Sequence, residues 1–371
     1  MREVGDSSGV GPVGARLTTW RRYRGLARDD LASQAGLDLA YVAGLESGSD
    51  WIDRRGQLAA LAAVLRLDIA DLTGQPYPPR GDEHAAVRAV AFHLRRRLVR
   101  RPPAASSGPM LEELAVRTRA AVQADADGDE HRLALALPGL IETADQAAAS
   151  GHEEAERLRV QAHVLGAGLL RRLGYRDLAW MLLHRPGPGS RESLPVLFEE
   201  VRLLIDLGSP EYALARAERA EDAGEGAQLP ALTALAHSMA GRRRQAEDVL
   251  DDAARQGASA RDAAVLGAAR AAVAAEDGDA EDAVALAGAV DHALLDGAQR
   301  SGLLVVTAAA EARRGRTGQA AARLDEADAT APFRLRLDPL ARDLVAALAV
   351  RTTDPVQAAA VRNLAERTGL R

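Results

Sequence analysis

Apolar residues recur at helical spacing along almost the whole chain, and glycines or prolines interrupt them at short intervals. The N-terminal part predicts four helices separated by glycines: Ala15–Arg24, Arg28–Ala35, Asp38–Glu46 and Arg55–Leu65. The run from Gln75 to Pro79 is too rich in proline to continue a helix. We therefore predict a compact domain at residues 14–74, preceded by a Gly- and Ser-rich tail at 1–13 that is expected to be disordered.

Residues 75–109 are predicted to form a linker that contains a basic helix at 84–101. That helix has six arginines and no acidic residue, and Pro102 and Pro103 follow it. Three interpretations stay open: the helix lies along DNA phosphates, packs in a dimer, or is a solvated basic helix.

From residue 110 onwards the pattern repeats at intervals of 34, 33, 37 and 37 residues, which are marked by glycines. These glycines are Gly174, Gly208, Gly241, Gly278 and Gly315. An alanine follows each glycine by five residues, and a small residue or valine precedes each by seven. Small residues at fixed offsets allow two antiparallel helices to approach closely, and the glycine ends the first helix.

This phase resembles the tetratricopeptide repeat over about Arg159–Ala329, although Leu and Ala replace most of its aromatic positions. Segments 110–150 and 338–369 resemble divergent terminal hairpins. The resemblance implies a helical-repeat domain at 110–371. We therefore predict an all-α fold, in which a small five-helix domain precedes a tetratricopeptide-like α-solenoid.

Composition supports helix and limits the chemistry. Aromatic residues make up 3%, there is no Cys, and all 47 basic residues are Arg, which we ascribe to GC-rich coding. The absence of Cys excludes disulfides and thiolate chemistry. Without an export signal or a membrane span in the sequence, we expect a cytoplasmic, nucleoid-associated protein with no membrane partner.

Charge is distributed unevenly along the chain. Residues 1–101 carry 16 Arg and 12 acidic residues, whereas residues 102–371 carry 31 Arg and 41 acidic residues. Phosphates repel an acidic surface, so a nucleic-acid partner is expected only for the first part.

The segment from Leu31 to Gly48 carries the strongest functional motif. Ala32, Gly36, Val42 and Leu45 occupy the packing and turn positions of the Cro and phage-repressor helix-turn-helix family, also described as the xenobiotic-response-element type, which the segment resembles. The resemblance implies that the third helix enters the DNA major groove, and that Arg21 pairs with Glu46 to hold helices together.

By the same resemblance, the DNA-binding positions surround the third helix. They are Arg28, Asp38, Leu39, Ala40, Tyr41, Ala43, Gly44, Arg54 and Arg55. Asp38 is expected to cap the helix, and the three arginines to contact phosphates. Leu39, Ala40, Ala43 and Gly44 cannot make bidentate base contacts, so sequence reading should be weak.

No enzymatic constellation stands out. The Gly9–Gly14 segment has Gly-x-Gly-x-x-Gly spacing but no preceding strand, and the eight histidines are scattered. We expect no catalytic activity, metal or cofactor.

Helical repeats form a concave groove lined by the first helix of each hairpin. The expected ligand or partner positions there are Gln161, Arg171, Arg172, Phe198, Arg202, Gln228 and Met239, and Val164, Asp206 and Arg313 also face inward. Arginines from adjacent repeats can clamp a carboxylate, or can simply solvate the groove.

A phage-repressor-like domain joined to such repeats resembles the peptide-sensing regulators of Gram-positive bacteria and a broad set of actinobacterial regulators. Asn side chains often hold the peptide backbone in the peptide sensors, but this chain has only Asn363. The main hypothesis is a homodimeric transcriptional regulator that binds double-stranded DNA and senses a peptide, metabolite or protein. The alternative is a repeat-based interaction module whose helix-turn-helix no longer reads DNA.

Overall fold

The structure, a computed structural model, describes residues 12–99, 111–187, 193–220, 226–256 and 259–370. Within these ranges it is all-α, with twenty-one α-helices, as the sequence predicted. The first five are α1 (Pro12–Tyr23), α2 (Arg28–Ala35), α3 (Leu39–Ser47), α4 (Arg55–Leu65) and α5 (Ile69–Thr73). They enclose their own core around Leu17, Leu31, Val42 and Leu61, which makes them one helix-turn-helix domain.

Helix α1 begins two residues before the predicted domain start. Residues 1–11 of the expected tail lie outside the described residues. The basic helix α6 runs over Gly81–Leu98 rather than 84–101, and Arg100 and Arg101 lie outside the described residues. Its buried face, Val87, Val90 and Leu94, belongs to the largest core of the repeats, so α6 is packed as part of the array.

Fifteen further helices of the described chain form the repeat array. They are α7 (Leu111–Asp127), α8 (Glu130–Ala148), α9 (Glu153–Arg172), α10 (Arg176–Leu183), α11 (Leu194–Asp206), α12 (Pro210–Ala217), α13 (Gln228–Met239), α14 (Arg243–Arg255), α15 (Ala260–Asp277), α16 (Ala280–Gly288), α17 (Gly297–Arg313), α18 (Thr317–Thr330), α19 (Pro332–Leu337), α20 (Pro339–Arg351) and α21 (Pro355–Arg367). None of the helices described is long and apolar enough to pass through a lipid bilayer.

The five predicted repeats correspond to five helix hairpins, from α9–α10 to α17–α18. Each marker glycine lies in the turn of its hairpin with a φ between +68° and +88°, which other residues adopt only with strain. The alanines five residues later are fully buried, and so are the residues seven positions before each glycine. The predicted basis of the hairpin, close helix approach through small residues, is confirmed.

Candidate DNA interface and its docking on the repeats

The α2–α3 unit has the geometry that the motif predicted. Gly36 joins the two helices with a φ of +65°, and Asp38 caps α3 by accepting hydrogen bonds from the Ala40 and Tyr41 amides. Arg21 donates to Glu46 at 2.5 and 2.9 Å, so both the predicted cap and the predicted Arg21–Glu46 pair are confirmed.

Arg28 reaches the same carboxylate. Its Nε donates to Glu46 Oε2 at 2.9 Å, while its side chain remains 45% exposed. Burial of Glu46 opposes ionisation, but the hydrogen bonds from Arg21 and Arg28 lower its pKa overall. Arg28 therefore both stabilises the domain and keeps an exposed charge at the start of α2.

The predicted base-contacting residues of α3 divide into exposed and covered positions. Leu39 and Ala40 are exposed, and Ala43 is half-buried. Gly44 is buried under the following loop, where an added Cβ would lie 2.9 Å from the Cβ of Asp50. The Tyr41 hydroxyl donates to the Gln57 amide oxygen at 2.7 Å and lies 3.2 Å from the Trp51 carbonyl. Among the predicted base-contacting residues of α3, only Leu39 and Ala40 in the first turn are thus exposed.

The two arginines that follow α3 and were expected to contact DNA phosphates are both directed at the array. The guanidinium of Arg54 lies against the turn at Gly278, where an added Cβ would come within 2.7 Å of Nη2. Arg55 faces Asp206 at 3.5 Å and Asp338 at 3.8 Å. Both arginines are half-buried and face the array.

Two carboxylates of the array, half-buried Glu276 and buried Asp343, cap helices of the first domain. Glu276 of α15 accepts from the Arg55 and Gly56 amides at 2.8 and 2.6 Å, at the N-terminus of α4. Asp343 of α20 accepts from the Val13 amide at the start of α1 (3.1 Å) and from the Ile52 amide (2.9 Å). Free amides and the helix dipole both favour an anion at these positions.

Burial shifts the ionisation of both caps in the same direction. It raises the pKa of Glu276, and it raises the pKa of Asp343 to about 6 against the two hydrogen bonds that the carboxylate accepts.

Arg313 of α17 holds the loop that follows α3. It donates to Asp50 at 2.5 Å, to Asp53 at 2.6 and 3.1 Å, and to the Trp51 carbonyl at 2.8 Å. Its guanidinium also stacks 4.0 Å from the centroid of the Trp51 ring. Trp51 and Ile52 are buried, so this loop anchors the first domain on the repeats.

One position in the repeat recurs along the docking surface. The residue two before each marker glycine contacts the first domain or the segment that follows it, and these residues are Arg172, Asp206, Met239, Glu276 and Arg313. Three of the glycines take part directly: an added Cβ on Gly174 would meet Gln75, one on Gly208 would meet Ala59 and Ile69, and one on Gly278 would meet Arg54. The hairpin turns together form the surface on which the helix-turn-helix domain rests.

The predicted linker begins as part of this interface. Gln75 is buried and donates to the carbonyls of Arg172 and Leu337 at 3.1 and 3.0 Å, and it accepts from Arg176 at 2.9 Å. Tyr77 is also buried, beneath the guanidinium of Arg342 at 3.9 Å.

Most predicted groove arginines have carboxylates of the array as partners. Arg171 donates to Glu199 and Asp206, both at 2.6 Å. Arg172 donates to Asp125 at 2.7 Å, and Arg202 lies 3.6 Å from Glu199 and donates to the exposed Gln228 at 3.3 Å.

The remaining groove positions are spread over the same helices. Met239 is half-buried, and its carbonyl oxygen would lie 3.0 Å from a Cβ on Gly56. Gln161, Val164 and Phe198 are half-buried. That these positions bind a ligand or partner stays a prediction.

Sequence reasoning did not single out the most consequential contacts. Glu276 and Asp343 look like ordinary helix residues, and Trp51 and Ile52 like part of a loop. One signal was available: the large apolar pair Trp51 and Ile52 lies just before the arginines expected to contact phosphates, in a segment where exposed polar side chains would be expected.

The described residues contain no group of three or more His, Cys, Asp or Glu side chains arranged to hold a metal ion. These observations define a helix-turn-helix domain docked on a tetratricopeptide-like array. Neither a protein-family model nor a curated protein matches the chain.

One solved structure similar to the chain is PlcR of Bacillus thuringiensis, in complex with the peptide PapR7 and DNA. The TM-score is 0.32 and the identity 12%, over 88% of this chain and 99% of that one.

Proposed function

We propose that the protein is a DNA-binding transcriptional regulator in which the repeat array controls the helix-turn-helix domain. The observation that carries the proposal is the division of the DNA-facing surface. The first turn of α3 and the start of α2 are exposed, whereas Arg54 and Arg55 are held by the array. A regulator needs a reading surface that can be made more or less available, and this division supplies one.

In the docked state the domain offers Leu39, Ala40 and the Arg28 charge, which permits only weak contact with DNA. Loss of docking would free Arg54 and Arg55 for phosphates, at the cost of the array's caps on α1 and α4. A ligand or partner that changes docking would therefore change DNA affinity. Homodimerisation on two half-sites stays a prediction.

A second candidate function is an interaction module in which the first domain has become a structural part of the array. The exposed first turn of α3 favours it, because Leu39 is apolar and Asp38 is acidic there. Asp29 and Asp30 are also exposed at the start of α2 and would repel phosphates.

Genome-wide immunoprecipitation of the tagged protein, followed by titration of a recovered fragment at two salt concentrations, separates the two functions. A regulator gives discrete peaks and sequence-selective binding. An empty profile with only weak, salt-sensitive binding would refute the proposal and favour the interaction module.

Charge removal at one position tests the interface itself. Arg28→Gln should weaken DNA binding and reduce the salt slope by about one, because one phosphate contact is lost. Glu46 keeps its Arg21 partner in this variant. Arg323→Gln is the matched control, since Arg323 lies on α18 in an exposed pair with Glu326, away from the first domain. Equal effects of the two substitutions would contradict the assignment.

A further inference from the structure

A cavity of about 230 Å³ lies where the first domain meets the array. Leu58 and Ile69 of the first domain form part of its wall, and Ile205 and Val305 of the array lie among the residues that complete it. The cavity is therefore apolar on both sides and is divided between the two domains.

Arginines dominate the charged part of the wall. They are Arg55, Arg171, Arg172, Arg176 and Arg334, and the carboxylates among the lining residues are Asp206 and Asp338. Three of the five arginines have close carboxylate partners. Arg171 pairs with Glu199 and Asp206, and Arg172 and Arg334 share Asp125 at 2.7 and 2.9 Å.

Arg172 lies beside two carboxylates, those of Asp125 and Glu130, and beside a second guanidinium group, that of Arg334. Burial lowers the pKa of Arg172 first, and the neighbouring Arg334 lowers it further. Additional negative charge in the cavity would stabilise both guanidinium groups.

Arg55 and Arg176 have the most distant carboxylate partners of the five. Arg55 is 3.5 and 3.8 Å from its two carboxylates, and Arg176 is 3.7 Å from Asp68. The Arg176 side chain is 6% exposed, and within the described part of the chain its Nε and Nη1 have no hydrogen-bond partner. Buried donors without acceptors are costly, so an added acceptor would be bound favourably.

We propose that this cavity binds a small organic anion, whose carboxylate or phosphate group lies between Arg55 and Arg176 and whose apolar part contacts Leu58, Ile69 and Val305. Guanidinium groups are well suited to both anions. The volume is below the usual range of pockets for drug-sized ligands, which fits a small metabolite and not an extended peptide.

The bound anion would connect Arg55 of the first domain to Arg176 of the array. It would thus strengthen docking and keep Arg54 and Arg55 away from DNA. This consequence rests on the regulatory function proposed above, whereas binding itself does not, and the test uses no DNA.

The test compares anions with their neutral isosteres on the full chain. Succinate, benzoate and inorganic phosphate are titrated by calorimetry and thermal unfolding at constant ionic strength, with succinamide and benzamide as neutral probes. We expect saturable binding and a rising Tm with at least one anion, and neither effect with the amides. Phosphate binding without carboxylate binding would assign the group to a phosphate, and the reverse to a carboxylate. Absence of binding by all three anions would overturn the proposal.

Two variants locate the site. Arg176→Gln and Arg55→Gln should each lower anion affinity at least tenfold, whereas Arg323→Gln should leave it unchanged. Circular dichroism identifies a variant that fails to fold, and the other variant then decides. In the wild type, the bound anion should slow hydrogen exchange at the Ile52 and Gly56 amides at least tenfold. Unchanged affinity in a folded variant, or unchanged exchange on binding, would place the anion elsewhere.

Discussion

Replacement of Arg313 by Ala should release the loop that follows α3 from the array. The substitution removes the cationic partner of Asp53, whose side chain is 9% exposed, and that of Asp50, which is 24% exposed. Loss of one partner of a buried ion pair costs about 3–5 kcal/mol, and the stacking on Trp51 adds about 1 kcal/mol. Because Arg313 itself is 25% exposed, solvent screening reduces the sum, and we expect docking to weaken by about 3 kcal/mol.

Hydrogen exchange measures the free energy of docking at single amides. The Ile52, Arg55 and Gly56 amides bond to array carboxylates, so they exchange when the first domain undocks. A loss of about 3 kcal/mol accelerates exchange by roughly 100-fold, because each 1.4 kcal/mol corresponds to a factor of ten. Amides in the middle of α17 should keep their protection.

Arg323→Ala removes an exposed pair with Glu326, worth about 0–1 kcal/mol, and should change none of these rates. If Arg313→Ala leaves Ile52 and Gly56 as protected as in the wild type, the loop is not held by this arginine and the docking argument fails.

Three further predictions test other parts of the structure. The pKa of Asp343 is raised to about 6, so the native state binds the carboxyl proton of Asp343 more tightly than the unfolded state does. The free energy of unfolding should therefore fall by about 3 kcal/mol as pH rises from about 4 through 6. Urea unfolding across this range should show that Asp343→Asn removes the slope, and parallel slopes in the two proteins would contradict the assignment. In the same assay, Gly208→Ala should lower the free energy of unfolding more than Gly241→Ala does. Both glycines have a positive φ, which costs alanine about 1–2 kcal/mol, but of the two only Gly208 contacts the first domain. Equal losses of stability would rule out this close contact. Arg21→Ala should cost about 3–5 kcal/mol, because the buried Glu46 loses its main partner, and a loss below about 1 kcal/mol would show that the remaining pair suffices.

Local patterns were sufficient to predict the elements of the fold. The bounds of α2 and α4 coincide with the predicted ones, since a Gly follows α2 and an apolar stripe defines α4. The cap of α3 by Asp38 and the pair between Arg21 and Glu46 depend on short-range geometry that the family pattern encodes. The hairpins follow from five glycines at a regular interval, each with a positive φ.

The arrangement of the first domain on the array could not be predicted in the same way. Asp343 lies 330 residues from Val13 and 291 from Ile52 in the sequence. No local pattern therefore connects this carboxylate to the two amides that donate hydrogen bonds to it. The inward positions of the repeats were expected to hold a ligand. Periodicity shows that Met239 and Arg313 share a face, but it does not show whether a ligand, a partner or another domain of the chain occupies that face.

The caps that Glu276 and Asp343 provide also affect how far the protein is modular. A fragment cut after Gly74 would keep the complete helix-turn-helix sequence, yet the Val13, Ile52, Arg55 and Gly56 amides would lose their acceptors. Loss of a helix cap costs about 0.5–2 kcal/mol, which is a large share of the stability of a domain of about 60 residues. The domain boundary visible in the chain is therefore not a thermodynamic boundary. Transplanting this helix-turn-helix onto another protein would require new carboxylates at both helix starts.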